Sequence, residues 1–147
     1  FELFKGLGLC TDCHILEENK HSVFSDFSYK NIGVPTNPNL SVETDLGLGG
    51  VVGDIRENGK FRVSSLRNVA LTAPYMHNGV FGTLKKVVNF YSTRDLDDCA
   101  SNPNLEGCWG APEVSENLDT TTGSLSLTSS QEDDIVAFLE TLTDGYR

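Results

Sequence analysis

Apolar residues fall on a helical spacing in a few stretches of this chain and are scattered between turn residues elsewhere. The last stretch is the best defined. Ile135, Phe138, Leu139 and Leu142 recur at i, i+3, i+4, i+7, as on one face of an amphipathic helix. Thr128-Ser-Ser-Gln131 reads as a capping box, Asp133 and Asp134 suit the positive end of the helix dipole, and Asp144-Gly145 supplies the stop. Thr83 caps a second helix whose face carries Leu84, Val87, Val88 and Tyr91. A third covers residues 1–9, where Phe1, Phe4 and Leu7, or Leu3 and Leu7, form an apolar side. Residues 64–71 read as a short helix. Asn58-Gly59 between Val51-Val52 and Phe61-Arg62-Val63 predicts a small β-hairpin. Residues 15–50 and 95–127 are rich in turn signals and read as mostly irregular. The first and last helices are expected to cross and close a pocket.

Composition narrows this picture. The 147 residues suit one domain, 1–147, and are short for two. Hydrophobic residues make up 38%, low enough that something besides side chains is expected to help fill the core. No run of 18 apolar residues occurs, so membrane insertion by a spanning helix is not expected. Eleven Lys and Arg face 21 Asp and Glu, a net charge of −10. Such a chain lacks the basic face that nucleic acid or anionic lipid requires. The acid is concentrated late: residues 95–147 hold twelve acidic side chains and a single basic one, Arg147. A solvated outer shell is the plain reading, and a steering field for a basic partner the sharper one. Phe1 opens directly inside a helical pattern with no signal sequence before it, as a mature or trimmed form or one part of a longer polypeptide would.

The cysteines carry the chemistry. Cys10-Thr-Asp-Cys13-His14 reads C-x-x-C-H, the attachment motif of c-type haem. Two thiols on one turn can add to the two vinyl groups of a porphyrin, and the adjacent histidine then gives the iron its proximal nitrogen. A thioredoxin-type pair would need a preceding β-strand, and residues 3–7 read as helix. A zinc site would need a second ligand pair; Cys99 and Cys108 are too widely spaced for a knuckle. Haem attachment implies one covalent haem c and an exported protein, periplasmic or extracellular. In that oxidising setting Cys99 and Cys108 are expected to close a short disulfide loop, a contribution of about 2–3 kcal/mol.

The iron's distal side has few candidates. Met76 is the sole methionine, and the residues alone favour it, since thioether ligation suits electron carriers; core filling is its alternative use. Tyr91 lies on an apolar helix face. His77 follows Met76 directly and is expected to hydrogen-bond near a propionate, while His21, in a polar stretch, reads as a surface histidine. Arg67 between apolar residues reads as a propionate partner or a surface arginine. Trp109 is expected to pack against the Cys108 bridge or the haem edge.

The run from Ser65-Leu-Arg-Asn-Val through Pro74-Tyr-Met-His-Asn-Gly79, with Thr83-Leu84 and Val87-Val-Asn-Phe-Tyr91, resembles the C-terminal haem domain of the bacterial di-haem cytochrome c peroxidase family, which includes MauG-like proteins. The stretch from Leu127 to Thr143 resembles that family's last helix, so the likeness covers Cys10 to Thr143. It implies a mainly α, cytochrome c-like helical fold around one covalent haem, with long loops. It also implies that the distal ligand sits fourteen residues beyond the Pro-Tyr-x-His histidine: a methionine in the peroxidases, a tyrosine in MauG-like members, and Tyr91 here. The likeness favours Tyr91 where the bare residues favour Met76. It further implies a calcium ion held partly by the backbone of a Thr-x-Pro, matched by Thr72-Ala-Pro74.

Two functions compete on this basis. One is electron transfer by a single haem, with a redox protein or a second haem domain as partner and no enzymatic turnover by this chain alone. The other is the haem-relay half of a di-haem peroxidase or MauG-like oxidase acting on peroxide. A bound cytochrome subunit of a larger assembly is a third.

Overall fold

The computed structural model describes residues 1–17, 22–41, 43–96 and 107–145. It is mainly helical: α1 (Glu2–Lys5), α2 (Leu48–Val52), α3 (Leu84–Thr93) and α4 (Ser129–Glu140), with a two-stranded antiparallel sheet of β1 (Tyr29–Lys30) and β2 (Phe61–Arg62). Long irregular connections run between them. No helix among the described residues is long and apolar enough to cross a membrane.

The helices with strong local signals form as expected. Thr83 is extended and its side chain accepts from the Lys86 N–H at 3.3 Å, which starts α3. At α4 the capping box is complete: Thr128 Oγ1 accepts from the Gln131 N–H, and Gln131 Oε1 accepts from the Thr128 N–H at 2.8 Å. Lys85 joins the two helices, lying 3.1 Å from Glu132 and 2.7 Å from Asp133. Asn89 donates to the other Glu132 oxygen at 2.8 Å, so that buried carboxylate is paired. The expected crossing of first and last helices also occurs, with the Phe138 ring 5.2 Å from Phe1 and 5.0 Å from Phe4.

Three local expectations are corrected. The first helix is a single turn, because Gly6 and Gly8 fold back onto the carbonyls of Glu2 and Leu3 and Leu9 is left-handed at φ 49°. The stretch 64–71 holds only a 3₁₀ turn, Val69–Leu71, behind left-handed Asn68. The hairpin does not form. Val51 and Val52 end α2, while Phe61–Arg62 pairs with Tyr29–Lys30, in the register Tyr29↔Arg62 and Lys30↔Phe61. Gly49 explains the change: it lets α2 pack directly onto Asn58, where any side chain would collide. The expected Cys99–Cys108 bridge and the surface role of His21 lie outside the described residues, because Cys99 and His21 do.

The apolar residues gather into two clusters. Phe4, Phe24, Leu84, Val88, Ile135, Leu139 and Leu142 form the larger; Val34, Phe81 and Phe90 form the smaller. A cavity of about 530 Å³ has walls drawn from both, with Phe4, Leu84, Val88, Ile135 and Leu139 on the larger cluster and Val34, Met76 and Val87 on the smaller. A low apolar fraction thus yields a core built around a space.

Truncating Phe4 to alanine removes a ring that is 1% exposed. The expected cost is about 3–5 kcal/mol, against about 1 kcal/mol for Thr128→Ala. Chemical denaturation of the purified variants checks this ranking; equal costs would show that α1 is not anchored as described.

Candidate functional site

The C-x-x-C-H segment is shaped locally. Cys10–Asp12 form a 3₁₀ turn, and the His14 N–H returns to the Cys10 carbonyl at 2.8 Å. Gly8 lies so close to Cys10 that an added Cβ would stand 3.2 Å from its Sγ. Cys10 and Cys13 are free thiols on the cavity wall. Burial pushes the Cys10 thiol up to about 12 and raises Cys13 as well. Among the described residues no group of three or more His, Cys, Asp or Glu converges as a metal cage.

His14 lines the same cavity. Burial pushes its imidazole below the usual value, so the ring is neutral at pH 7. The Phe24 carbonyl lies 2.8 Å from Nδ1. A carbonyl only accepts, so Nδ1 carries the proton and Nε2 keeps its lone pair, the arrangement of a metal-ligating histidine. Arg67 supports this bond from behind. Its Nε donates to the Ser22 carbonyl at 2.8 Å, and its guanidinium lies 5.3 Å over the Phe24 ring. Arg67 is exposed and does not line the cavity, as its surface reading expects.

Tyr91 and Met76 both line the cavity. Burial holds the Tyr91 phenol well above its ordinary range, with the Cys10 and Cys13 sulfurs adding to the effect and Arg94 opposing it. Met76, at φ 70°, packs with the Val34–Phe81–Phe90 cluster. His77 is on the wall too, but its Nε2 is committed to Glu113 at 3.0 Å and its ring stacks on Phe61 at 3.7 Å. Burial of Glu113 is outweighed by hydrogen bonds from the Asp45 N–H, His77 and Asn78, which hold its carboxyl below the usual range. Thr72 and Pro74 stand on the cavity wall, with Thr72 Oγ1 donating to the Val69 carbonyl. Trp109 lies off the wall; it packs on Phe81 and Phe90 and donates to Thr93 Oγ1 at 2.9 Å.

Sequence reading missed a polar wall. Lys30 reaches Asp119 at 3.0 Å, and Thr121 and Thr122 follow on the same face of the cavity. Thr122 Oγ1 is the one buried side-chain oxygen or nitrogen without a hydrogen-bond partner among the described residues. Arg94 lies behind this wall, three residues after Tyr91 on the same helix, the one signal that could have marked it. Two thiols, a neutral imidazole, a phenol and an unpaired hydroxyl around a largely apolar space of this size fit a haem.

Comparison with known proteins agrees with that fit. No family model matches the chain. It is 38% identical over 92% of its length to the methylamine utilization protein MauG of Paracoccus denitrificans, and 30% identical over 97% to the cytochrome-c peroxidase IdrP2 of Pseudomonas sp. strain SCT. It covers 39% and 38% of those relatives, about two fifths of their length. Among solved structures it is similar to the diheme peroxidase BthA from Burkholderia thailandensis, with a TM-score of 0.81 and 30% identity, covering 98% of this chain and 41% of that one. A MauG-like protein associated with microbial copper homeostasis gives a TM-score of 0.69 at 30% identity, covering 97% of this chain and 45% of that one.

The Lys30–Asp119 pair generates a pH prediction. Burial of Asp119 is outweighed by Thr121 and Lys30, so its carboxyl sits below the unfolded value. A depressed pKa contributes stability above the unfolded value, about 3.9, and loses it as pH falls through the lower folded value. Asp119→Asn should lower thermal stability at pH 6 and flatten its decline below about pH 4. Parallel acid limbs for the two proteins, read by thermal melts, would remove Asp119 from the account.

Proposed function

Because this chain belongs, over nearly its whole length, to the MauG and cytochrome-c peroxidase family, we propose that it binds one haem c covalently and relays electrons through it. Cys10 and Cys13 provide the thioether bonds, His14 the proximal nitrogen and Tyr91 the distal oxygen. The observation that carries this reading is the shared cavity, where the two thiols, Tyr91 and a histidine with Nε2 free of its proton line one wall system. When bound, the haem supplies one-electron chemistry at iron, between the ferric and ferrous states.

The chain's own residues define what that chemistry can be. His14 is oriented by the Phe24 carbonyl and needs no proton loss to ligate. Tyr91 presents a hard oxygen, which favours the ferric state and lowers the potential relative to a thioether. Phe4, Leu84, Ile135 and Leu139 exclude water from the larger-cluster side of the cavity. If His14 and Tyr91 both held the group, this chain would give it two protein ligands, an arrangement suited to relay rather than to turnover. The compartment follows from haem attachment, which acts on exported chains.

A second reading rests on length. The relatives are about two and a half times as long as the matched region, so this haem serves equally as the relay half of a two-haem peroxidase or MauG-like oxidase. Its partner is then a second haem domain.

Co-expression with haem-attachment machinery tests the first step. The chain should be coloured, give a pyridine haemochrome spectrum and gain the mass of one macrocycle; Cys10→Ser with Cys13→Ser should abolish all three. Tyr91→Met should introduce the weak red absorption of sulfur-ligated ferric haem and raise the potential, within the span of about 0.8 V that axial ligands command. Alone, the chain should not turn over peroxide with a reduced donor, and sustained turnover would sink the relay assignment.

A further inference from the structure

We propose that Arg94 is a positioning residue for Tyr91: its buried guanidinium locks the end of α3 to the two segments facing it and so keeps the Tyr91 oxygen on the distal side of the site. This rests on the reading of Tyr91 as distal ligand.

The geometry is that of a latch. Arg94 stands at the end of α3, one turn beyond Tyr91, with its side chain only 7% exposed. Its Nη1 donates to the Ile32 carbonyl at 3.0 Å, and its Nη2 donates to the carbonyls of Asp119 at 2.9 Å and Thr122 at 2.8 Å. Nε donates to Asp95 at 2.7 Å, so the charge is balanced next to the helix end. Ile32, Asp119 and Thr122 all line the cavity, whereas Arg94 does not. One side chain therefore joins two wall segments to the helix that carries Tyr91.

The wall closes back on Tyr91 itself. The Gly123 N–H donates to the Tyr91 carbonyl at 2.8 Å, and the Asp95 N–H donates to the Gly123 carbonyl at 2.7 Å. Two glycines make room for the latch. A Cβ on Gly33 would stand 3.2 Å from Arg94 Cδ, and one on Gly123 would stand 2.9 Å from Arg94 Nη2 and collide with the Asp95 carboxylate. Both glycines have positive φ, a backbone region that side chains disfavour. Lysine cannot reproduce the contact set, since a point ammonium lacks the planar fork that spans carbonyls from two segments.

Met76 on the same cavity gives the latch a consequence. If the end of α3 loosens, Tyr91 loses its fixed place while a second donor remains within the cavity, so ligand identity becomes the readout. The experiment compares haem-loaded wild type, R94Q, R94K and Y91F by ferric absorption, electron paramagnetic resonance, midpoint potential and thermal melting. R94Q should retain haem, lose the wild-type ferric signature in favour of that of Y91F, and rise in potential in the same direction. R94K keeps charge and length, covers the case in which R94Q does not fold, and should shift the same way. Wild-type spectra and potential in the Arg94 variants, with only a lower melting temperature, would overturn the proposal and leave Arg94 a structural latch. A Y91F spectrum identical to wild type would instead overturn the ligand reading on which it rests.

Discussion

The His14 ring donates through Nδ1 to the carbonyl of Phe24, and that bond decides which ring nitrogen keeps a lone pair. The carbonyl is held from several directions. Phe24 is 4% exposed, at φ 52°, with its ring edge-on to Phe4 and Phe138. Ser22, just before it, accepts from the Phe24 N–H and donates to the Ile15 carbonyl beyond His14. Arg67 covers the outer face. Helices α1 and α4 thus reach the imidazole through one aromatic residue, which ties the packing of the chain ends to the chemistry in the middle.

The acidic carboxyl-terminal third is not simply a solvated shell. Glu132, Asp119 and Glu113 turn inward and meet Lys85, Lys30 and His77. Each pair bridges segments far apart in the chain and is partly shielded from water, where a lone carboxylate would be costly. Lys30–Asp119 ties the two-stranded sheet to the polar wall, His77–Glu113 ties the Pro-Tyr-Met-His turn to the segment after Trp109, and Lys85–Glu132 ties α3 to α4.

The two sides of the cavity are held by different means. On the His14 side, hydrophobic packing among Phe4, Phe24 and Phe138 dominates. On the Tyr91 side, Arg94 and the carbonyls of Ile32, Asp119 and Thr122 dominate. Apolar contacts tolerate small adjustments, whereas a planar guanidinium among fixed carbonyls does not. The Tyr91 side is therefore the more sharply defined of the two.

What the sequence alone determined is whatever depends on neighbours within a turn or two. The Thr128–Gln131 box, the Thr83 cap, the apolar face of α4 and the Cys10–His14 turn are set by i to i+4 relations, and all formed. Tertiary structure decided the rest. Val51-Val52 and Phe61 looked like hairpin partners because they are close in the chain, yet Phe61 pairs across thirty residues with Lys30. Arg67 reads in the sequence only as an arginine between apolar residues; that its guanidinium lies over the Phe24 ring, more than forty residues away in the chain, is set by the fold. Arg94 gave little sign of its role, since its acceptors are backbone carbonyls, and a carbonyl is present at every residue. Which carbonyls meet in space is a property of the folded chain, not of residue type.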